Sequence, residues 1–270
     1  MKLVSSPISE SFKAFVLQLR IVLALQEREL LVRSEKGLLG AFGILVEPLL
    51  VLATLLILKI LVRLKTADLI NPVVWMASGV SIYYLFTSVA LKAVDGVRKS
   101  QDVFFYRRIR PLDTLLATAM VESRTYASVL VLIITGVWFY TWNIQLDSPG
   151  EATVVFLLAI LLALGCGVSI LVIGRLVPLV KLLFKFGIRR ILLWTSGVFF
   201  ALYTLPGPVR PYLTWNPVLH AVELFRHAIN KAYPIPGISL LYLAACTVFT
   251  CGFGLIFYSA NENLLLSDES

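Results

Sequence analysis

The sequence predicts an all-α polytopic membrane protein with six transmembrane helices and both termini in the cytoplasm. Apolar residues make up 59% of the 270-residue chain, and its mean hydropathy is +0.87. Soluble domains are only about 45–50% apolar. The apolar residues form runs suited to crossing a bilayer, which takes about 20 residues. Lys and Arg concentrate in alternate connecting segments, and such segments stay on the cytoplasmic side.

Positive charge sets the predicted orientation. Of the 24 Lys and Arg residues, 17 fall in segments assigned to the cytoplasm, 5 in segments assigned to the outside and 2 within spans. The net charge of +8 could also indicate a nucleic-acid partner. In a chain this apolar we interpret it as loop charge facing anionic lipid headgroups, and we expect no nucleic acid to bind.

The first element is a charged amphipathic helix over residues 11–33. Its apolar side chains repeat with helical spacing, but six charged side chains interrupt them. A helix with this much charge is expected to lie in the membrane interface rather than to cross.

Span one is predicted over residues 38–62. Pro48 should kink it, because proline removes a backbone hydrogen bond. The neighbouring Glu47 is costly in a membrane unless it is paired or faces water. Lys59 and Arg63 lie toward the outer end of this span, where long side chains can reach the interface.

Spans two and four are predicted over residues 72–91 and 152–174. Asn71 and Pro72 supply a cap and a first-turn proline for span two. Small residues at the centre of span four favour close contact with another helix.

Span three is predicted over residues 114–142 and contains Glu122 and Arg124. Charges inside a membrane indicate either a functional site or structural pairing between spans, and the sequence leaves both interpretations open.

The basic segment between spans two and three, residues 92–113, is assigned to the cytoplasm. It contains material for a short helix over residues 93–105. The polar face of that helix holds Asp95, Arg98, Lys99 and Asp102. Two interpretations remain: a loop that only sets topology, or a helix that transmits force from a soluble partner.

Span five is predicted over residues 191–205 and span six over residues 238–258. Between them, residues 206–236 contain an amphipathic helix that begins at Pro217 with Asn216 as its cap. We expect this helix to lie at the outer face or to re-enter it, since it is too short to span.

One face of the helix after Pro217 carries His220, Glu223 and His227. These side chains could be taken for zinc ligands. A solvated helix face is the interpretation we favour.

Motifs for chemistry are missing from the sequence. It contains no G-x-x-x-x-G-K-[ST] phosphate loop, so we expect no ATP to bind by that route. It also lacks the Asp-rich cluster of a metal-dependent glycosyl or prenyl transferase. We therefore predict no cofactor, metal or catalytic residue in this chain.

Three stretches resemble the permease subunit of bacterial capsular-polysaccharide ABC exporters, within the type-2 ABC permeases. Residues 26–48 (QERELLVRSEKGLLGAFGILVEP) are similar to the family's charged entry, Leu-Gly pair and Glu-Pro. Residues 105–125 (FYRRIRPLDTLLATAMVESRT) resemble its aromatic, basic, Pro-Leu-Asp-Thr run with a following Glu. Residues 215–226 (WNPVLHAVELFR) resemble its Asn-Pro-Leu-x-His-x-x-Glu-x-x-Arg motif.

The resemblance implies a homodimer that binds two copies of a separate cytoplasmic ATPase, which would carry ATP and Mg²⁺. Residues 93–105 would form a coupling helix and residues 11–33 an interfacial gate helix. The residues expected to couple to the ATPase are Asp95, Arg98, Lys99, Asp102, Arg107, Arg108, Glu27 and Arg28.

The resemblance divides the chain into three parts. Residues 1–36 would be a cytoplasmic N-terminal segment, residues 37–260 the transmembrane domain and residues 261–270 a short cytoplasmic tail. A polysaccharide co-polymerase-type export protein of the periplasm and inner membrane is implied as a further partner.

The implied substrate is a lipid-linked, often acidic, capsule glycan that crosses the bacterial inner membrane. Candidate residues along its path are charged or aromatic: Glu47, Lys59, Arg63, Trp75, Tyr83, Tyr84, Glu122, Arg124, Trp194 and Tyr203. Candidates on the outer helix are Trp215, Asn216, His220, Glu223 and Arg226.

Three alternatives stay open. A permease of the same type could export another glycan, such as O-antigen or teichoic acid. A membrane enzyme of glycan or lipid assembly is disfavoured by the missing acidic cluster. An ion-coupled secondary transporter would usually show internal repeats and broken helices at the midplane.

Overall fold

The computed structural model describes residues 7–36, 43–61, 69–99, 110–142 and 146–266, and this part of the chain contains helices and no strand. The all-α prediction is confirmed for it. The helices are α1 (Pro7–Lys36), α2 (Gly43–Leu61), α3 (Pro72–Lys99), α4 (Pro111–Thr141), α5 (Pro149–Leu176), α6 (Pro178–Leu182), α7 (Arg189–Thr195), α8 (Pro217–Ile229) and α9 (Leu240–Leu266). A π-helical segment, Leu183–Ile188, joins α6 to α7.

Four of the described helices, α3, α4, α5 and α9, are long and apolar enough to cross a membrane. A shorter apolar stretch, Ile44–Leu58, lies in α2. The chain is therefore a multi-span helical membrane protein.

Proline begins most of these helices. Its missing N–H is one that the first helical turn leaves unbonded anyway, and its φ is already helical. The prolines at helix starts are Pro7, Pro72, Pro111, Pro149, Pro178 and Pro217.

Side-chain caps support three of the same helix starts. The Asn71 carbonyl oxygen accepts from the Val73 N–H at 3.0 Å, which confirms the predicted cap of α3. The Asp113 carboxylate accepts a hydrogen bond from the Arg110 backbone N–H at 3.0 Å, which caps α4. The Asn216 carbonyl oxygen accepts from the Val218 N–H at 2.9 Å, which confirms the predicted cap of α8.

The prediction for span five, residues 191–205, is wrong in its bounds. The helical segment starts earlier, at Pro178, and ends at Thr195. Gly197 follows with φ +71°, and prolines at 206, 208 and 211 keep the next residues in turns and short 3₁₀ segments. Four basic residues that precede residue 191 lie within this helical segment, because charged side chains do not end a helix: Lys181, Lys185, Arg189 and Arg190.

Two other predicted boundaries also shift. Residues 93–99 continue α3 without a break instead of starting a separate coupling helix. The predicted tail from residue 261 begins inside α9, which runs to Leu266 across a non-helical Asn261.

The core forms around α3, the most enclosed of the four long helices. It packs against α4, α5 and α8, and α9 packs along α5. At Gly165 an added Cβ would lie 2.6 Å from the Cys251 backbone nitrogen of α9. This close backbone approach is the contact that small residues in span four predict.

α1 packs beside α4, and the two helices run in the same direction. The Gln18 amide donates to Asp113, the Thr118 hydroxyl donates to Glu29 at 3.0 Å, and Arg33 pairs with Glu122. The N-terminal helix is thus held against the first three turns of α4 by polar contacts.

Candidate functional site

A polar cavity of about 300 Å³ lies where α1, α2, α3 and α4 meet the π segment and α7. We call it the polar cavity. Four basic and two acidic side chains line it: Arg33, Lys92, Lys185, Arg189, Glu47 and Glu122. The lining therefore has a surplus of two positive charges.

Glu122 lies at the centre of the ion pairs in this cavity. Its side chain is only 4% exposed, and one oxygen, Oε1, accepts from Arg33 Nη2 at 2.8 Å and from Lys92 Nζ. Eleven residues separate it from Pro111, which places it about 16 Å along α4. A buried carboxylate at this depth requires such partners.

Arg33 also pairs with Glu29 on its own helix, one turn earlier. Burial lowers the pKa of Arg33, but the charges of Glu122 and Glu29 outweigh it and raise this pKa above its ordinary value. The guanidinium therefore stays positively charged.

Lys185 and Arg189 occupy another part of the cavity wall. The Arg189 guanidinium lies 5.9 Å from the centroid of the Tyr84 ring, a cation–π distance. The Tyr83 hydroxyl donates to the Arg189 carbonyl oxygen at 2.7 Å and holds the start of α7 in place. Within the described residues neither base has a carboxylate within 4.0 Å, so both are available to a ligand.

Hydroxyl groups complete the lining. Ser88 and Tyr126 face each other with 3.5 Å between their oxygens, and Tyr84 and Thr87 lie on the same wall. Basic groups with hydroxyl neighbours bind carboxylate or phosphate groups. The arrangement is suited to binding an anionic group.

A second group of charged residues is packed quite differently. We call it the Arg226 cluster: Trp75, Glu223, Arg226 and Tyr233. Arg226 Nη1 donates to Glu223 Oε1 at 2.9 Å and to the Gly197 carbonyl at 2.8 Å. The guanidinium carbon lies 3.7 Å from the Trp75 ring centroid, and the Tyr233 hydroxyl donates to Glu223 at 3.1 Å.

The prediction of a solvated face on α8 is wrong, because His220 and Glu223 are buried. The helix packs against α3, α5 and α9, so its polar face is enclosed as well as its apolar one. His220 Nδ1 accepts from the Ser239 N–H at 3.1 Å, and Nε2 lies 2.8 Å from the Thr214 carbonyl oxygen. A neutral imidazole with its proton on Nε2 satisfies both groups.

The predicted path residues are divided among several places. Glu47, Tyr84 and Glu122 line the polar cavity. Trp75 belongs to the Arg226 cluster, and the Tyr203 ring lies 5.2 Å from that of Tyr233.

The remaining path candidates lie elsewhere. Tyr83 is buried in the core, whereas Arg124 and Trp194 are exposed. The side chain of Lys59 and the whole of Arg63 are outside the described residues.

The predicted coupling residues are described only in part. Glu27 and Arg28 are exposed on α1. Asp95, Arg98 and Lys99 lie on the last turns of α3, but their side chains are outside the described part of the chain, as are the whole residues Asp102, Arg107 and Arg108.

Sequence analysis missed the four bases of the cavity, because it counted them as loop charges that set topology. Two signals pointed to them. Lys185 and Arg189 are one helical turn apart and so share a face, and acids within predicted spans, Glu47 and Glu122, require positive partners or water.

The fold and the cavity define a class: a multi-pass helical membrane protein with a cationic cavity among its helices. No family model matches the chain. The chain is 30% identical over 253 residues to the polysialic acid transport protein KpsM of Escherichia coli, covering 94% of this chain and 98% of that protein.

Two more distant relatives carry related names. The capsule polysaccharide export inner-membrane protein BexB of Haemophilus influenzae is 22% identical over 80% of this chain and 81% of its own length. The corresponding protein CtrC of Neisseria meningitidis serogroup B is 23% identical over 92% and 93%. The chain belongs to the family of capsule polysaccharide export inner-membrane proteins, and it is a multi-pass inner-membrane protein.

Proposed function

We propose that this chain is the membrane-spanning permease subunit of an ATP-driven exporter that moves lipid-linked capsular polysaccharide across the bacterial inner membrane. The observation that carries the proposal is the 30% identity to KpsM over 98% of that protein's length. Similarity over nearly the full length of KpsM favours the same role.

We propose six crossings with both ends in the cytoplasm. α2 and the segment from Pro178 onward would add two crossings to α3, α4, α5 and α9. The six basic residues of the N-terminal segment and the six of residues 92–113 support this orientation. The domain division at residues 1–36, 37–260 and 261–270 follows from the same topology.

The partners we propose rest on the family resemblance. Two copies of this chain would bind two copies of a cytoplasmic ATPase that holds ATP and Mg²⁺, and a co-polymerase-type export protein would continue the route outward. The exposed Glu27 and Arg28 of α1 and the basic segment after α3 are suited to contact the ATPase.

Within this exporter the polar cavity would receive an anionic group of the glycolipid. Its surplus of positive charge supports that role, because carboxylates of an acidic glycan and the phosphate of a lipid anchor both bind basic side chains. The chain itself would bind and guide the substrate, and the ATPase would supply the energy.

Deletion of the gene tests the proposal. We expect intact polymer inside the cytoplasm and none at the surface, with surface capsule restored by a plasmid copy of the gene. Loss of polymer from both places would indicate an assembly enzyme instead. Unchanged capsule with loss of another surface glycan would overturn the capsule assignment.

A further inference from the structure

We propose that Glu122 is an internal counter-anion, which an anionic group of the substrate displaces from Arg33 and Lys92, and that this exchange loosens α1 from α4. The inference rests on the proposed function for the nature of the substrate. It assigns Glu122 a positioning role, since its carboxylate acts through the two cations.

The difference in exposure between acid and bases supports the exchange. The Glu122 side chain is 4% exposed, whereas those of Arg33 and Lys92 are 21% and 42% exposed. Both cations can therefore be reached from the cavity while they are paired with a buried carboxylate. An incoming anion meets them on the side that Glu122 does not cover.

The exchange keeps both cations paired. With Glu122 present, Arg33 and Lys92 are paired before the substrate arrives and are paired with the substrate afterwards. Without Glu122, the empty cavity would leave Lys92 with no described carboxylate and Arg33 with Glu29 alone. The displaced carboxylate stays in a cavity that Lys185, Arg189 and hydroxyl groups also line, which offsets part of the cost of separating a buried carboxylate from its partners.

Displacement affects α1 because Arg33 belongs to that helix. Three polar contacts hold α1 to α4: Gln18 to Asp113, Glu29 to Thr118, and Arg33 to Glu122. The third is a charge-assisted contact between two ionised groups, the strongest kind of hydrogen bond. When a substrate anion replaces Glu122 as the partner of Arg33, α1 loses this contact with α4. Anion binding in the cavity is thereby linked to movement of α1.

Glu47 offers a matched control. It lines the same cavity, but no described base lies within 4.0 Å of it. Glu47→Gln therefore removes the same charge from the cavity without freeing an ion-paired cation. Any general effect of cavity charge on anion binding appears in both variants, and the counter-anion effect appears only in Glu122→Gln.

The experiment uses the full chain purified in lipid nanodiscs, with its three cysteines replaced by alanine and spin labels on Ala24→Cys and Arg124→Cys. Both labelled positions are exposed, one on α1 and one on α4. The probes are a short-chain phosphatidic acid for the lipid phosphate and glucuronate for the glycan carboxylate, with glucose as the neutral control.

We expect an anionic probe, and not glucose, to lengthen or broaden the α1–α4 distance in the unsubstituted cavity. Glu122→Gln should show the lengthened or broadened α1–α4 distance without any probe. It should also bind the anion about tenfold more tightly, which is the effect of one charge-assisted hydrogen bond. Glu47→Gln should keep the probe-dependent change, with a smaller gain in affinity. A response to only one probe identifies the anion that the cavity selects.

Equal affinities in the two variants would overturn the proposal, as would anion binding that leaves α1 in place. A misfolded variant would lose affinity, the opposite of the expected gain, and the measurement on the unsubstituted cavity leaves every lining residue in place. The exporter assignment is tested separately, since a gene deletion that leaves the capsule intact would contradict that assignment and not these binding results.

Discussion

The polar cavity and the Arg226 cluster contain the same kinds of charged side chain, but these side chains differ in burial and in pairing. In the cluster, one acid and one base are fully buried and bonded to each other and to their neighbours. In the cavity, four bases face two acids, and Lys92 is 42% exposed. A buried charge bonded to its buried counter-charge is part of the scaffold, whereas surplus charge that a ligand can reach makes a binding site.

The cluster also explains how α8 is held. Arg226 joins α8 to the turn at Gly197 and, through the Trp75 ring and carbonyl, to α3. Irregular backbone at membrane depth is tolerated where protein covers it. Residues 196–202 have this cover, whereas most of residues 204–215 are exposed. In the described part of the cavity, the side chains of Lys185 and Arg189 have no carboxylate within 4.0 Å, unlike Arg226.

The largest expected effect comes from removing one partner of the cluster. Arg226→Ala should destabilise the fold by about 3–5 kcal/mol, because it leaves the buried Glu223 carboxylate without its counter-charge. Thermal unfolding followed by size-exclusion chromatography would measure the loss. The double variant Glu223→Leu with Arg226→Met should recover part of it, and a double variant less stable than Arg226→Ala would contradict the pairing argument.

A smaller effect is expected from crowding the same cluster. An added Cβ at Gly79 would lie 2.5 Å from Arg226 Nη2, whereas one at Gly136 meets nothing within 4 Å. Gly79→Ala should lower the free energy of unfolding by about 1–3 kcal/mol, because the hydrogen bonds of Arg226 prevent that side chain from moving aside. Gly136→Ala is the control and should leave the unfolding temperature unchanged or slightly raised. Equal effects would mean that the cluster is not tightly held.

Substitutions in the cavity are expected to have the reverse effect: they should lower export and leave the free energy of unfolding nearly unchanged. Arg189→Gln should lower capsule export about tenfold through one lost charge-assisted contact with the substrate, and should change stability by less than about 1 kcal/mol. Arg190→Gln removes the same charge from the next, exposed residue and serves as the control. The readouts are surface capsule per cell and thermal unfolding. Equal export by the two variants would contradict a role for the cavity.

The smallest effect is expected at Arg124. It is exposed on α4, two residues beyond Glu122, so Arg124→Gln should leave export and stability unchanged. Loss of export in this variant would place the substrate path on the outer face of α4 as well, and would extend the site beyond the cavity.

Sequence reasoning was reliable where the cause is local. Apolar run length predicted the membrane helices, and Asn216 and Pro217 predicted the start of α8, because caps and first-turn prolines act within one turn. It failed at the boundaries of span five, where the end of the helix depends on the packing and positive φ of the turn at Gly197.

By itself, the sequence determined the class of protein, the helical segments and the need for partners around Glu47 and Glu122. Only the tertiary structure decided that Arg33 and Lys92 meet Glu122, and that His220 and Glu223 on the polar face of α8 are buried. The reason is physical: hydropathy and capping depend on neighbours along the chain. Ion pairs such as Arg33 with Glu122, 89 residues apart, depend on helix packing that no local pattern encodes.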